Sequence, residues 1–154
     1  MLDAARPYLL RLLGPNYIGL IIPGIGFNAS FAPGNALPGK LAFVTQSGAL
    51  AKAMLDWANN RNIGFSHFVS LGDSADVDFG DGLHYLACDG STRAILMYAE
   101  SISSARKFMS AARQAARNKP VIVVKAARPC PARAAVSVSR ADAPRCGIVH
   151  QTHP

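Results

Sequence analysis

The 154-residue sequence has few of the residues that form disulfide bonds or bind metal ions. It has three cysteines, Cys88, Cys130 and Cys146, and this odd number without a CxxC pair argues against a disulfide framework. The four histidines are scattered along the chain, so no metal site is predicted. A long apolar run and a secretory signal are also lacking, so we expect no membrane partner and a cytoplasmic location.

Negative charge is scarce too, with nine acidic residues against sixteen Lys and Arg, and the net charge is +7. The excess is local, because residues 1–105 carry eight acidic and six basic residues, whereas residues 106–154 carry ten basic residues and only Asp142. Many of these bases fall on one predicted helix, which is typical of a solvated face. Aromatic residues do not interleave with them, and we therefore expect no nucleic-acid partner.

What the sequence does contain is a regular alternation of apolar runs and helical patterns. The apolar runs do not alternate strictly with polar residues, which is typical of strands covered on both faces. The order β-α-β-α-β-α-β predicts an α/β fold, a three-layer αβα arrangement around a parallel sheet of about four strands. In the first helix Leu50, Met54 and Trp57 share a face, so Trp57 is expected to be buried. The strands are predicted at 41–45, 67–71, 94–99 and 121–125, and the helices at 49–60, 78–88 and 103–118.

The two ends of the chain differ from this middle part. Residues 1–39 are rich in Gly and Pro, which predicts the end of a preceding domain, with a short strand at 10–13, followed by a connector. Residues 40–126 form the predicted α/β domain. Residues 127–154 show no sustained period, which predicts a disordered or poorly packed tail that adds nothing to the sheet.

A candidate phosphate cradle lies where the first strand meets the first helix. Gln46 ends the apolar run and Ser47-Gly48 opens the helix, whose first N–H groups are unpaired and lie at the positive end of the helix dipole. The alternative is that Ser47 is only an N-cap. Because strand ends converge at one edge of a parallel sheet, residues 72–74 and 100–101 are expected beside it. The nearby Asp76, Asp78 and Asp81 fit either this rim or ordinary solvation and N-capping.

Several motifs together resemble the NDP-forming acyl-CoA synthetases, a family that includes the succinyl-CoA synthetase alpha subunit. The family also includes the acetyl-CoA synthetase-like region of bacterial protein acetyltransferases. The resemblance covers about residues 5–126 and implies a flavodoxin-like domain of a larger enzyme. The motifs that carry it are Gly14-Pro-Asn-Tyr-Ile-Gly, Phe43-Val-Thr-Gln-Ser-Gly-Ala-Leu50, Phe68-Val-Ser-Leu-Gly-Asp73 and Pro120-Val-Ile-Val-Val-Lys125.

By resemblance, the enzyme makes an acyl-CoA from an acid, CoA and ATP through a phosphohistidine. The phosphate-binding motif corresponds to residues 45–48, that is Thr45, Gln46, Ser47 and Gly48, and Glu100 corresponds to the catalytic glutamate that pairs with the histidine. Asn16 matches the element near the CoA site, although Tyr17 departs from the cysteine that many relatives have next. ATP and Mg²⁺ would bind only in a further module, and residues 1–39 would include the end of a CoA-binding domain.

The phosphorylatable histidine of the family is missing from its expected place. No histidine lies beside Ser137, His150 and His153 have an unrelated context, and His67 and His84 are expected to have packing or surface roles. We therefore interpret the chain as a fragment whose residues from about 127 onward are a frameshifted or truncated stretch. Such a fragment is expected to be inactive alone and to need the remaining synthetase domains or subunit.

Two other functions remain open at this point. One is a stand-alone interaction or binding domain for CoA or another phosphate-bearing small molecule. The other is an FMN-binding flavodoxin, which the lack of an aromatic-rich flavin loop disfavours. The acyl substrate is not specified by the sequence.

Overall fold

A computed structural model of the chain describes residues 1–126 and the strand Val136–Ser139. One seven-stranded sheet organises these residues, in the order β2-β1-β4-β3-β5-β6-β7. The four strands in its middle, β4, β3, β5 and β6, are parallel, which confirms the predicted α/β fold with its parallel sheet. The strands are β1 Gly19–Ile22, β2 Phe27–Ser30, β3 Pro38–Thr45, β4 Phe65–Ser70, β5 Ala94–Ala99, β6 Val121–Lys125 and β7 Val136–Ser139.

Three long helices connect the parallel strands, and a short helix and two 3-10 turns precede β2. The helix after β4 begins with a capping box, in which Asp78 accepts a hydrogen bond from the N–H of Asp81 and the Asp81 carboxylate accepts one from the N–H of Asp78. N-capping is thus one role of these two acids, as the sequence allowed. The helices are α1 Leu2–Ala5, α2 Gly48–Asn59, α3 Phe79–Cys88 and α4 Ala105–Ala116, and the 3-10 turns are Arg6–Tyr8 and Pro23–Ile25.

The sheet separates two apolar cores, which gives the predicted three layers. On one face α2 packs over three phenylalanines, and the ring centroid of Phe68 lies 5.2 Å from those of Phe43 and Phe65. On the other face α3 and α4 cover β5, with Leu83 and Phe108 in one cluster with Met97. Burial on both faces explains why the strands are apolar without alternation.

The structure corrects the expectation for Trp57, which is 46 % exposed. Helix α2 instead buries Ala51, Leu55 and Ala58, a stripe rotated by one residue from the predicted one. Both stripes have helical spacing, but the small alanines let the helix lie close to the sheet, so the larger tryptophan is left at the margin. There its ring lies 4.6 Å from the guanidinium carbon of Arg61.

The ends of the domain also differ from expectation. Residues 10–13 do not form a strand, whereas β1 and β2 form a hairpin that pairs antiparallel with β4. Strand β7 pairs antiparallel with β6, so the expectation that nothing after residue 126 joins the sheet is wrong for Val136–Ser139. The other predicted features of residues 127–154 lie outside the described residues, and the proposed domain boundaries stay predictions.

Within the described part of the chain, no helix is both long and apolar enough to cross a bilayer.

Candidate functional site

A polar cleft of about 440 Å³ opens at the edge of the sheet where the parallel strands end. The segments after β3, β4 and β5 meet there, as expected for parallel strands. Because β1 runs antiparallel to β4, the residues that precede β1 reach the same edge. The cleft is lined by residues 16–18, 46–48, 72–73 and 100–101.

The turn between β3 and α2 is held by its own hydroxyl groups. Thr45 is fully buried, and its Oγ1 accepts a hydrogen bond of 3.0 Å from the N–H of Ser47. Ser47 is the N-cap of α2, and its Oγ accepts from the N–H of Leu50 at 3.4 Å. Thr45 therefore shapes the turn from below the cleft, whereas Ser47 keeps a hydroxyl hydrogen that can be donated into the cleft.

Helix α2 supplies the hydrogen-bond donors of the cleft. Among the residues described by the structure, no acceptor is found for the N–H groups of Gly48 and Ala49, as is usual in a first helical turn. A Cβ atom at Gly48 would lie 3.2 Å from Cγ1 of Ile18, which is closer than a side chain tolerates without movement of its neighbour. Glycine at this position keeps the backbone donors open to a ligand.

Gln46 joins two of the strand-end loops. Its Oε1 accepts hydrogen bonds from the N–H of Glu100 at 2.9 Å and from the N–H of Ser101 at 3.0 Å. The backbone of Glu100 is thereby tied to the turn before α2, and the exposed side chain of Glu100 lines the cleft. Gln46 thus lines the cleft and also connects the segment after β3 to the segment after β5.

Asn16 enters the cleft from the segment before β1. Its backbone has φ 55°, and its Nδ2 donates to Oδ1 of Asp73 at 3.4 Å. Tyr17 lies beside it and is 38 % exposed, and the N–H of Ile18 donates to Oγ of Ser70 at 3.1 Å. The structure thus brings Asn16 together with residues 46–48 and Glu100, the positions that the sequence singled out.

The electrostatic character of the cleft is unusual for a phosphate site. Its lining includes two carboxylates, Asp73 and Glu100, and no Lys, Arg or His. Its donors are therefore uncharged groups, which include backbone N–H groups, the hydroxyls of Ser47, Tyr17 and Ser101 and the side-chain amides of Asn16 and Gln46. A free anion would be attracted by the start of α2 and repelled by the carboxylates.

The two histidines in the described region lie elsewhere. His67 is buried on β4, where its Nδ1 lies 3.6 Å from Oδ2 of Asp89 and its ring packs edge-on against Tyr85. Burial lowers the pKa of His67, although the Asp89 carboxylate acts in the opposite direction. His84 contacts Gln114 on the exposed side of α3. His150 and His153 lie outside the described residues.

Sequence reasoning missed a second, mainly apolar groove of about 750 Å³. It lies between the sheet face of β1 and β4 and the helices α3 and α4, with Leu20, Ile22 and Val69 in its wall. Residues 19–22 lie in the Gly- and Pro-rich part of the sequence that predicts a connector, whereas the structure forms β1 from them. In residues 1–126, no group of three or more His, Cys, Asp or Glu could hold a metal ion.

Comparison with known proteins agrees with this architecture. A family model described as the succinyl-CoA ligase-like flavodoxin domain matches residues 38–149. Subunit alpha of the ADP-forming acetate–CoA ligase I of Pyrococcus furiosus is 43% identical over 128 residues, which are 83% of this chain and 28% of that protein. The ADP-forming acetate–CoA ligase I of Archaeoglobus fulgidus is 44% identical over 83% of this chain and 19% of its own length.

A solved structure has the same fold. It is acetyl-coenzyme A synthetase 1 of Ca. Korarchaeum cryptofilum in complex with phosphate and ADP, which superposes with a TM-score of 0.76 at 39% sequence identity. The match covers 80% of this chain and 27% of that one, so the aligned part of this chain spans between 19% and 28% of the length of these relatives. On its sequence and its fold, the chain belongs to the family of succinyl-CoA ligase-like flavodoxin domains.

Proposed function

We propose that this chain is the flavodoxin-like part of an ADP-forming acyl-CoA synthetase and that its cleft receives a phosphoryl group during the reaction. The overall reaction converts a carboxylic acid, CoA and ATP to acyl-CoA, ADP and phosphate. The observation that carries the proposal is the meeting of Glu100 with the start of α2 in one cleft. We place the reaction in the cytoplasm, where ATP and CoA are available.

The cleft supplies the donors that a phosphoryl group needs. The N–H groups of Gly48 and Ala49 and the hydroxyl of Ser47 can bind phosphoryl oxygens at the positive end of the α2 dipole. Glu100 lies on the same rim and would repel a free anion, which makes it a better partner for an imidazole that carries the phosphoryl group. A carboxylate on one ring nitrogen orients the ring and favours the transfer of phosphate at the other.

The phosphorylated histidine must come from outside the described residues, because neither His67 nor His84 lines the cleft. We infer that the chain alone has no ligase activity and that the remaining synthetase domains or subunit supply the histidine, ATP and Mg²⁺. Its relatives include a subunit named alpha and chains three to five times longer, which supports a partner of this kind.

CoA fits the cleft only in part. A thiol that captures an activated acyl group has to reach the place where the phosphoryl group is bound, and Asn16 can position that end of the cofactor by hydrogen bonds. The phosphates and nucleotide of CoA lack basic partners in the cleft, so we assign them to another module. When bound, CoA supplies the thiol that becomes the thioester.

The second candidate is a stand-alone module that binds CoA or another phosphate-bearing ligand. It is supported by the fact that segments of this chain before β1 and after β3, β4 and β5 together line a polar cleft. Both candidates bind phosphate-bearing molecules, but only the first needs a partner for catalysis.

Calorimetric titration of CoA, ATP and inorganic phosphate into the full chain tests the proposal, together with an assay of acyl-CoA formation with and without the remaining synthetase modules. We expect weak phosphate binding, no ATP binding, and acyl-CoA formation only in the complete mixture. Gly48→Val should abolish phosphate binding, whereas Gly34→Val, where the added side chain meets open space, should not. A complete mixture that forms no acyl-CoA while CoA binds tightly to the chain would favour the second candidate.

A further inference from the structure

Segment 11–18 is hydrogen-bonded along almost the whole of loop 71–77. Backbone carbonyls of the segment accept hydrogen bonds from the N–H groups of every second residue in the loop. Three backbone N–H groups of the loop therefore depend on the segment for their acceptors, and the two form one wall of the cleft through Asn16, Tyr17 and Asp73. The bonds run from the N–H of Asp73 to Pro15 O (2.9 Å), from Ala75 to Gly14 O (2.9 Å) and from Val77 to Leu12 O (3.2 Å).

Asp76 binds this segment with its side chain. Its Oδ2 accepts a hydrogen bond of 2.7 Å from the N–H of Leu12, and its carboxylate also accepts from Nε of Arg11 at 3.1 and 3.2 Å. Charge-assisted bonds of this kind are stronger than those between neutral groups. The bond from Leu12, followed by the one from Arg11, lowers the pKa of Asp76 below its usual value.

Arg11 is held by a second carboxylate on the neighbouring helix. Its Nη2 lies 3.1 Å from Oδ2 of Asp81, which also binds Nζ of Lys107 at 2.6 Å. Since Asp81 belongs to the capping box of α3 and Lys107 lies on α4, the segment is connected to both helices of that face. The carboxylates of Asp76 and Asp81 are therefore paired with cationic side chains and are not simply solvated.

The segment and the loop are also in close contact beside the cleft. Gly72 has φ 58°, and a side chain there would collide with the carbonyl oxygens of Pro15 and Asn16. A small displacement of the segment would therefore move the walls of the cleft at Asn16 and Asp73.

We propose that Asp76 is a positioning residue of the cleft, which holds segment 11–18 against loop 71–77 and so sets the places of Asn16 and Tyr17. Asp76 does not line the cleft itself and acts through Leu12 and Arg11. The part of this inference that concerns the ligand rests on the proposed function.

Amide hydrogen exchange in the full chain tests the attachment directly, without any ligand. In Asp76→Ala we expect the amides of Asp73, Ala75 and Val77 to exchange at least about tenfold faster, while amides in the middle of β3 and β5 keep their rates. Asp76→Asn keeps an acceptor for Leu12 and should show a smaller increase. The matched control is Asp3→Ala, which removes an exposed Asp–Arg pair that does not line the cleft.

Phosphate titration of the same variants, followed by NMR at Gly48 and Tyr17, tests the effect on the cleft. We expect several-fold weaker binding in Asp76→Ala and unchanged binding in Asp3→Ala. Wild-type exchange rates at the three loop amides in Asp76→Ala would overturn the proposal, and so would fast exchange combined with unchanged phosphate affinity. If wild-type protein binds no phosphate, the proposed function fails, whereas shifted Tyr17 and Ile18 resonances in Asp76→Ala would still support the positioning role.

Discussion

Gln46 provides the sharpest test of how the cleft is assembled. Its Oε1 accepts hydrogen bonds of 2.9 and 3.0 Å from two successive backbone N–H groups, those of Glu100 and Ser101. Each such bond contributes about 0.5–1.5 kcal/mol to stability, so Gln46→Ala should lower the free energy of unfolding by about 1–3 kcal/mol. Both N–H groups lie at the exposed rim and can bind water in the variant, which favours the lower half of that range.

The substitution Gln46→Glu separates the hydrogen bonds from the charge. A carboxylate can accept from the same two N–H groups, so the stability should recover to within about 1 kcal/mol of the wild type. It also adds a third negative charge to a cleft that already has Asp73 and Glu100, so phosphate binding should weaken further than in Gln46→Ala. Of the two variants, Gln46→Glu should therefore be the more stable one, whereas Gln46→Ala should bind phosphate more tightly.

Urea unfolding followed by circular dichroism measures the stability, and NMR titration with phosphate measures the binding. Gln114→Ala is the matched control, because it removes an exposed glutamine that lies outside the cleft and whose side chain is hydrogen-bonded to His84. We expect it to change the free energy of unfolding by less than about 0.5 kcal/mol. If Gln46→Ala is as stable as this control, the two hydrogen bonds do not hold the loop at Glu100, and Gln46 does not join the two loops of the cleft.

Three further variants probe the cleft and the carboxylate of Asp89, which lies beside His67. Glu100→Gln should tighten phosphate binding, and more at low salt than at high salt, since it removes a repelling carboxylate; an NMR titration that shows no change would contradict this. Ser47→Ala removes the N-cap of α2 and should cost about 1 kcal/mol in urea unfolding, together with weaker phosphate binding; unaltered stability would mean that the hydroxyl does not cap the helix. Burial raises the pKa of Asp89, but hydrogen bonds from Ser91 and Thr92 outweigh it and lower the pKa from 3.8 to about 2. The stability that this carboxylate contributes is thus complete above about pH 4 and is lost as the pH falls towards 2. Asp89→Asn should remove that part of the acid dependence, and identical pH profiles of unfolding for variant and wild type would contradict it.

Much of the fold follows from local pattern. The apolar runs and the helical segments between them predict the four parallel strands, because the length of each segment and the spacing of its apolar residues distinguish strands from helices. The meeting of Gln46 with Glu100 also follows, since the carboxyl ends of parallel strands lie at the same edge of the sheet. These inferences need only the order of elements along the chain.

Other features depend on contacts that local pattern does not specify. Strand β1 gains part of its hydrogen bonds from β4, far away in the sequence, and β7 comes from a stretch whose sequence shows no sustained period, so local pattern does not reveal either strand. The position of Trp57 depends on which of two equally periodic stripes fits the sheet, and this is decided by packing volume. The pairing of Arg11 with Asp76, 65 residues later, likewise arises only when the segment before β1 lies along the loop after β4. Period and composition thus determine the elements and their order, whereas edge pairing, helix rotation and ion pairs are decided by the distances that exist only in the folded chain.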